Sequence, residues 1–300
     1  MALPRLIFVT GKGGTGKSTL SAALAAALAG RGRRSLLASL DGRRSAARML
    51  EPEEGGDPRK NTSPGGAPEI LTLSRRAELE AFIERIVPLR AISNRMLKSR
   101  TFGYVTSAVP GLEAFLLMER LRAVAGDAAL NDYYVVADAP ASGNALEMLA
   151  VAAGVKGLAP RGTLNRLASG VEALITDPRR FGVALAATPA DLAVREALAT
   201  AGRLKELGIA RVIVMLNCTV EALFETAEIE ALRKLNGHHE LAARRRELAR
   251  RTDAARRKLR AAGLEAIELP MLFRAELHRR DLLSLARRLG DALLSDEAGA

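Results

Sequence analysis

The nine residues Gly11-Lys12-Gly13-Gly14-Thr15-Gly16-Lys17-Ser18-Thr19 constrain the fold of this 300-residue chain more than any other stretch. They follow a short apolar run, Leu6-Ile7-Phe8-Val9, and open an alanine- and leucine-rich segment from Leu20 to Ala29. A strand, a glycine loop and a helix in that order gather backbone N–H groups and a helix N-terminus around one anion. The run satisfies G-x-x-x-x-G-K-[ST]. It also contains the dinucleotide spacing Gly11-x-Gly13-x-x-Gly16, and Asp41 closes the second apolar run where that fingerprint places its ribose-binding acid. The two readings separate on Lys17 and Ser18. A dinucleotide has no use for them, whereas a triphosphate needs an ammonium on its β and γ oxygens and a hydroxyl on Mg2+. The loop therefore reads as a triphosphate cradle, with Gly11, Gly13, Gly14, Thr15 and Gly16 as its backbone.

Seven short runs rich in Val, Ile and Leu punctuate the chain: Leu6 to Thr10, Ser35 to Leu40, Ile70 to Leu73, Tyr133 to Ala137, Val183 to Ala187, Val212 to Leu216 and Ala266 to Leu269. Longer segments of helical spacing separate them. This alternation predicts an α/β fold, a mostly parallel sheet with helices on both faces. The 48% hydrophobic content is ample for a buried core, and one P-loop domain over residues 1–300 is expected. Four prolines and four glycines between Glu51 and Glu69 predict a mobile loop. From about 75 to 125 the pattern is helical, with stripes at Leu79, Phe82, Ile83 and Ile86 and at Leu112, Phe115 and Leu116, and it reads as an insertion on the sheet's edge. With Met96 and Met118, these stripes suit either a groove for a client's apolar helix or packing on the chain's own sheet or a dimer mate.

The formal charge of +11 points at first to nucleic acid. Between Arg244 and Arg260, however, nine basic and two acidic residues concentrate a net +7 on one helical stretch, leaving +4 elsewhere. That stretch carries no aromatic side chain on which a base could stack, so a solvated helix face is the expectation and nucleic acid is disfavoured. The single cysteine, Cys218, excludes an internal disulfide and favours a reducing compartment. No run approaches the ~18 apolar residues of a membrane span, and the N-terminus reaches its glycine loop too soon for a signal peptide, so a cytoplasmic location is expected. His238 and His239 point apart on a helix and His278 is remote, which gives no metal site beyond Mg2+.

A triphosphatase also needs an acid at the end of another strand to hold the water shell of Mg2+. Asp138, closing Tyr133-Tyr134-Val135-Val136-Ala137, supplies it, although a strand-end aspartate is often a turn former. After it, Ala139-Pro140-Ala141-Ser142-Gly143-Asn144 is a small-residue loop in which Gly143 could bring a backbone N–H to the γ-phosphate.

Lys12, five residues before Lys17, gives the loop the form K-G-G-x-G-K-[ST], which resembles the deviant Walker A loop of the MinD, ParA, nitrogenase-iron-protein and arsenical-pump ATPases. Within that group, the stretch from Asp138 to Leu149 is similar to the D-x-P-x-T-G-H-x-L-x-x-L loop of the arsenical-pump and tail-anchored-protein targeting ATPases. Pro110-Gly111-Leu112-Glu113, Thr188-Pro189 with Glu196, Val214 to Asn217 and Leu269-Pro270 match the same family. The resemblance implies a dimeric, Mg2+-dependent ATPase. Lys12 would reach the phosphates of the partner subunit's nucleotide, and Lys17, Ser18 and Thr19 would hold phosphates and Mg2+ in the same subunit. Asp41 would orient the attacking water, and Asn217 would read adenine, with Pro270 nearby in the nucleotide site. The bland reading of Asp41 is a turn or cap before Gly42.

The switches depart from the family pattern: Gly42, Arg43 and Arg44 stand for Pro, Ala and His, and Ser142 and Asn144 for Thr and His. Slow or differently gated hydrolysis is therefore expected. One cysteine cannot build a soft metalloid site, and the zinc-binding Cys-x-x-Cys that joins many targeting dimers is missing. The leading expectation is an ATP-driven switch, a homodimer or a heterodimer with a paralogue, acting on a protein client and not on arsenite. The alternatives are a MinD- or ParA-type positioning ATPase, binding membrane or DNA as a dimer, and a protein that binds nucleotide without turning it over. For the membrane, the helix from Glu276 to Leu294 with Leu277, Leu282, Leu285 and Leu289 offers peripheral contact at most, and in this fold such a helix normally packs on the sheet.

Overall fold

The computed structural model describes residues 3–40, 45–51, 66–86, 111–126, 133–158, 161–233 and 239–294. Asp41 to Arg44, most of the Pro/Gly-rich stretch and Met96 lie outside them. Seven strands, β1 (Leu6–Gly11), β2 (Arg34–Ser39), β3 (Glu69–Thr72), β4 (Tyr133–Asp138), β5 (Phe181–Ala187), β6 (Val212–Thr219) and β7 (Ala266–Pro270), form one sheet in the order β3-β2-β4-β1-β5-β6-β7. Every pairing is parallel. Each expected strand is present, and the fold is the expected α/β arrangement.

The apolar runs lack polar alternation because the inner strands are covered twice. On β1, Leu6 and Phe8 enter one core while Ile7 and Val9 enter the other. The second core is built by α1 (Lys17–Gly30) and α10 (Arg279–Leu294). Every residue of α1 from Leu20 to Ala29 is buried, the alanines letting the helix sit between the sheet and α10. Leu282, Leu285, Leu289 and Leu294 of α10 are buried, so the last helix turns its apolar face inward and only Leu277, just before it, is exposed among the leucines considered for a membrane. No helix among the described residues is long and apolar enough to cross a membrane.

The larger core lies on the opposite face, beneath α4 (Leu112–Ala125), α5 (Ser142–Leu158), α6 (Thr163–Thr176), α7 (Asp191–Glu206) and α9 (His239–Ala261). Between β2 and α4 come α2 (Ser45–Arg48) and α3 (Arg75–Ile86), and α8 (Thr226–Arg233) precedes α9. Where the structure describes them, the stripes expected on an edge insertion are core: Leu79, Phe115 and Met118 are fully buried, Phe82, Leu112 and Leu116 nearly so, and α4 packs on α3, α5 and α6, while the side chains of Ile83 and Ile86 lie outside the described residues. The apolar area of those described side chains is satisfied within the chain. The Arg-rich helix α9 buries Ala242, Ala249, Thr252, Ala255 and Leu259, and its charged residues are exposed or half-buried. Several are answered nearby: Arg256 takes Glu268 through two bonds of 2.6 and 2.8 Å, Arg251 pairs with Glu247, and Lys258 with Asp191.

The order of the strands decides where a ligand can sit. From β1 the chain crosses over β4 to β2, whereas from β4 it crosses over β1 to β5, so the connections part around β1 and β4 and open a crevice at their C-terminal ends. Gly11, Asp138, Asn217 and Pro270 all lie at that end of the sheet.

Candidate active site

Gly11 ends β1 against Ala186 of β5 with φ +148°, and a Cβ there would stand 2.1 Å from the Ala186 carbonyl oxygen, so only glycine lets the strands pair to their last rung. The loop then closes on the carbonyl of Lys12, which accepts from Thr15 N at 3.4 Å, Thr15 Oγ1 at 2.8 Å and Lys17 Nζ at 3.3 Å. Beneath it, Asn217 Nδ2 donates to Thr15 O at 3.0 Å, and Gly16 passes so close over this carboxamide that a Cβ would stand 2.5 Å from Nδ2.

α1 begins with no side-chain cap. Gly16 is left-handed, and the first helical bond among the described contacts runs from Leu20 N to Gly16 O. The amides of Lys17, Ser18 and Thr19 are thus free of the helix's own ladder, at the positive end of its dipole. Gly13 and Gly14 have open space where a Cβ would be. The expected stretch Gly11 to Thr19 thus holds three amides outside the helix ladder, at Lys17, Ser18 and Thr19, beside the open faces of Gly13 and Gly14.

Asp138 is buried beside this run. Ser21 Oγ, one turn into α1, lies 3.0 Å from Asp138 Oδ1 and 2.9 Å from Lys17 O, so its one proton serves either acceptor and ties the acid to the helix carrying Lys17 and Ser18. Thr10 Oγ1 donates to Pro140 O at 2.7 Å and Ala139 N to Val9 O at 3.0 Å, fixing the loop after β4 to the end of β1. α5 starts in that loop. Its first bond is Ala145 N to Ala141 O, which leaves the amides of Ser142, Gly143 and Asn144 outside the helix ladder. Ser39, the register partner of Asp138 on β2, is fully buried, and its hydroxyl has no hydrogen-bond partner among the described residues.

Asp41 itself is outside the described residues, but the residue before it, Leu40, donates its N–H to Asp138 O at 3.2 Å. Pro270 ends β7 opposite Thr219, two residues beyond Asn217, across a bulge at which Cys218 takes φ +60°. Burial pushes the Cys218 thiol above its ordinary range, in keeping with an inert side chain. Thr19 opens on a cavity of about 240 Å3 shared with Arg48, Leu277, His278 and Arg279, and two buried nitrogens of Arg279 have no partner among the described residues.

Lys12 turns away from its own loop. Its ammonium donates to Glu196 Oε2 on α7 at 3.0 Å, while the Ser142 hydroxyl donates to Oε1 of the same carboxylate. These two contacts hold the Glu196 carboxyl below the usual carboxylate range, Ser142 contributing more than Lys12. Sequence reasoning met Glu196 only as a family match and missed Ser21 and Ser39. Ser21 was within reach of the pattern, four residues after Lys17 on the same helix face; the orphaned Ser39 hydroxyl has no sequence signal.

Against known sequences, the profile of the family described as anion-transporting ATPases matches residues 4–161, a span holding the phosphate loop, Asp138 and the loop after it. The chain belongs to this family. The ATPase BagA of Mycobacterium tuberculosis is 28% identical over 232 residues, covering 75% of this chain and 68% of its own. The Mycobacterium bovis protein Mb3704, also named for an ATPase, matches with the same identity and coverage. As a member of the anion-transporting ATPases with relatives named as ATPases, the chain is an ATP-hydrolysing enzyme, and the family is the one expected from the phosphate loop and the loop that begins at Asp138.

Proposed function

We propose that hydrolysis takes place at the C-terminal crevice between β1 and β4, and that the cycle drives a dimeric switch acting on a protein client. The observation that carries this reading is the Ser21 contact, which ties the β4 acid to the helix bearing Lys17 and Ser18. In this reading Gly11 to Gly16 wrap the phosphates with backbone amides, Lys17 neutralises their terminal oxygens, and Thr19 donates alongside. Ser18 and, through water, Asp138 would hold Mg2+, which would supply positive charge to offset that of the phosphates. The open space at Gly13 and Gly14 and the orphaned Ser39 hydroxyl beside Asp138 suit such a group: the first admits phosphate oxygens against the backbone, the second an ordered water.

Asp41 orients the attacking water. The amide of Gly143 senses the terminal phosphate, and Asn217 and Pro270 receive the adenine, the Asn217 Oδ1 acceptor remaining while Nδ2 braces the loop. Lys12 serves the nucleotide of a partner subunit, a homodimer mate or a paralogue, once it leaves Glu196. The test is light scattering of the full chain with Mg2+ and a non-hydrolysable ATP analogue, beside phosphate release by wild type and Asp41→Asn. A dimer formed only with the analogue, and a large loss of turnover in the variant, support the reading. A monomer under all conditions removes the switch, and unchanged turnover removes Asp41 from the chemistry.

A further inference from the structure

Glu196 is neither in the phosphate loop nor at a strand end, yet one carboxylate holds both sides of the crevice. Its Oε2 takes the Lys12 ammonium at 3.0 Å and its Oε1 the hydroxyl of Ser142, the first residue of α5, and the side chain is 31% exposed. An ammonium engaged by a carboxylate at this distance gives less of its charge to a phosphate. A phosphate that draws Lys12 away leaves Oε2 without its counter-ion and changes the acceptor on which Ser142 rests. The two equilibria share one side chain, so each must affect the other equally.

We propose that Glu196 is a positioning residue of the ATPase cycle: it competes with the terminal phosphate of ATP for Lys12, and through Ser142 it carries the outcome to the loop after β4. The inference rests on the nucleotide reading of the site. Both contacts on the carboxylate favour its charged form and hold its pKa below the usual range, so the competitor is an anion at neutral pH.

The test is isothermal titration of the full chain, with Mg2+ present, against a non-hydrolysable ATP analogue, in wild type, Glu196→Gln, Lys12→Ala and the double variant. Glutamine still offers Ser142 an acceptor but no longer holds Lys12 by charge. Glu196→Gln is expected to bind the analogue about two- to fivefold more tightly, the factor that corresponds to a partly exposed ion pair. KM for ATP should fall by a similar factor. In the Lys12→Ala background the same substitution is expected to change nothing. Glu196→Asp, one methylene too short to reach both partners, is expected to shift binding in the same direction by less, and it serves as the second variant if glutamine impairs folding. Hydrogen exchange of the amides of residues 142–145 should rise in Glu196→Ala, which removes both contacts, without a matching rise in the buried strands. Unchanged or weaker binding in Glu196→Gln, or an equal effect with and without Lys12, overturns the inference. Wild type that binds no nucleotide overturns the site assignment as well, which separates the two failures.

Discussion

Gly11 and Gly13 stand two residues apart in one loop, and their surroundings predict opposite outcomes for the same substitution. In Gly11→Ala the new methyl would stand 2.1 Å from the Ala186 carbonyl oxygen and 3.0 Å from its carbon, both backbone atoms of the neighbouring strand, at φ +148°. A side chain held in so sparsely populated a conformation costs on the order of 1–3 kcal/mol. Relieving the clash needs more than about 1 Å of separation between paired strands, an overpacking cost of a further 1–3 kcal/mol or so. The sum, about 2–6 kcal/mol, lowers the midpoint of thermal unfolding by at least about 3 °C for a chain of this size. In Gly13→Ala the methyl meets nothing within 4 Å, and φ is not left-handed. Its stability should be unchanged or raised by about 0.4–1 kcal/mol, through the narrower unfolded ensemble. Nucleotide affinity should fall nonetheless, because the methyl occupies the space through which phosphate oxygens approach the backbone. Differential scanning calorimetry and nucleotide titration of both variants check the pair. A Gly11→Ala protein as stable as wild type, or a Gly13→Ala protein that binds nucleotide as wild type does, would refute this account of the loop.

Ser21→Ala takes from the buried Asp138 carboxylate a donor at 3.0 Å and should lower unfolding free energy by about 1–3 kcal/mol in denaturant titration, with a loss of Mg2+-dependent turnover. An apolar substitution elsewhere in α1 would give the first effect without the second. For pH, the depressed pKa of Glu196 means that the unfolded chain binds its proton more tightly than the folded one, so the stability it contributes is present above the ordinary carboxylate value and is lost as pH falls through the lowered one. The difference in unfolding midpoint between wild type and Glu196→Gln should therefore narrow as pH falls below the ordinary carboxylate range; a gap that stays constant would show that the charge is not the cause. Arg256→Ala, which strips Glu268 of two bonds, should destabilise the packing of α9 on β7 yet leave nucleotide affinity alone, as read by melting and titration together.

The positions of the strands were legible because an inner parallel strand must be apolar on both faces, and the segments around Ile7, Val135 and Leu185 have no other reading. The phosphate loop was legible because Lys17 and Ser18 have no structural reason to follow four glycines. Less legible was the fate of the apolar stripes around Phe82 and Phe115: spacing shows that such a face needs covering but not what covers it, and here the chain's own core does. Contacts far apart in sequence were out of reach altogether. Lys12 and Glu196 are 184 positions apart, and Ser21 and Asp138 are 117 apart; only the strand order brings them together.

Phosphate release from ATP by the full chain with Mg2+, compared between wild type and Lys17→Ala at matched folding, tests the site most directly. Lys17 opens α1 with its ammonium on the loop carbonyl of Lys12 and little role in the core, so the variant should fold normally while losing nucleotide binding and turnover by at least about tenfold, as removal of a charged contact to phosphate requires. Turnover in Lys17→Ala equal to that of wild type would place the chemistry somewhere other than this crevice.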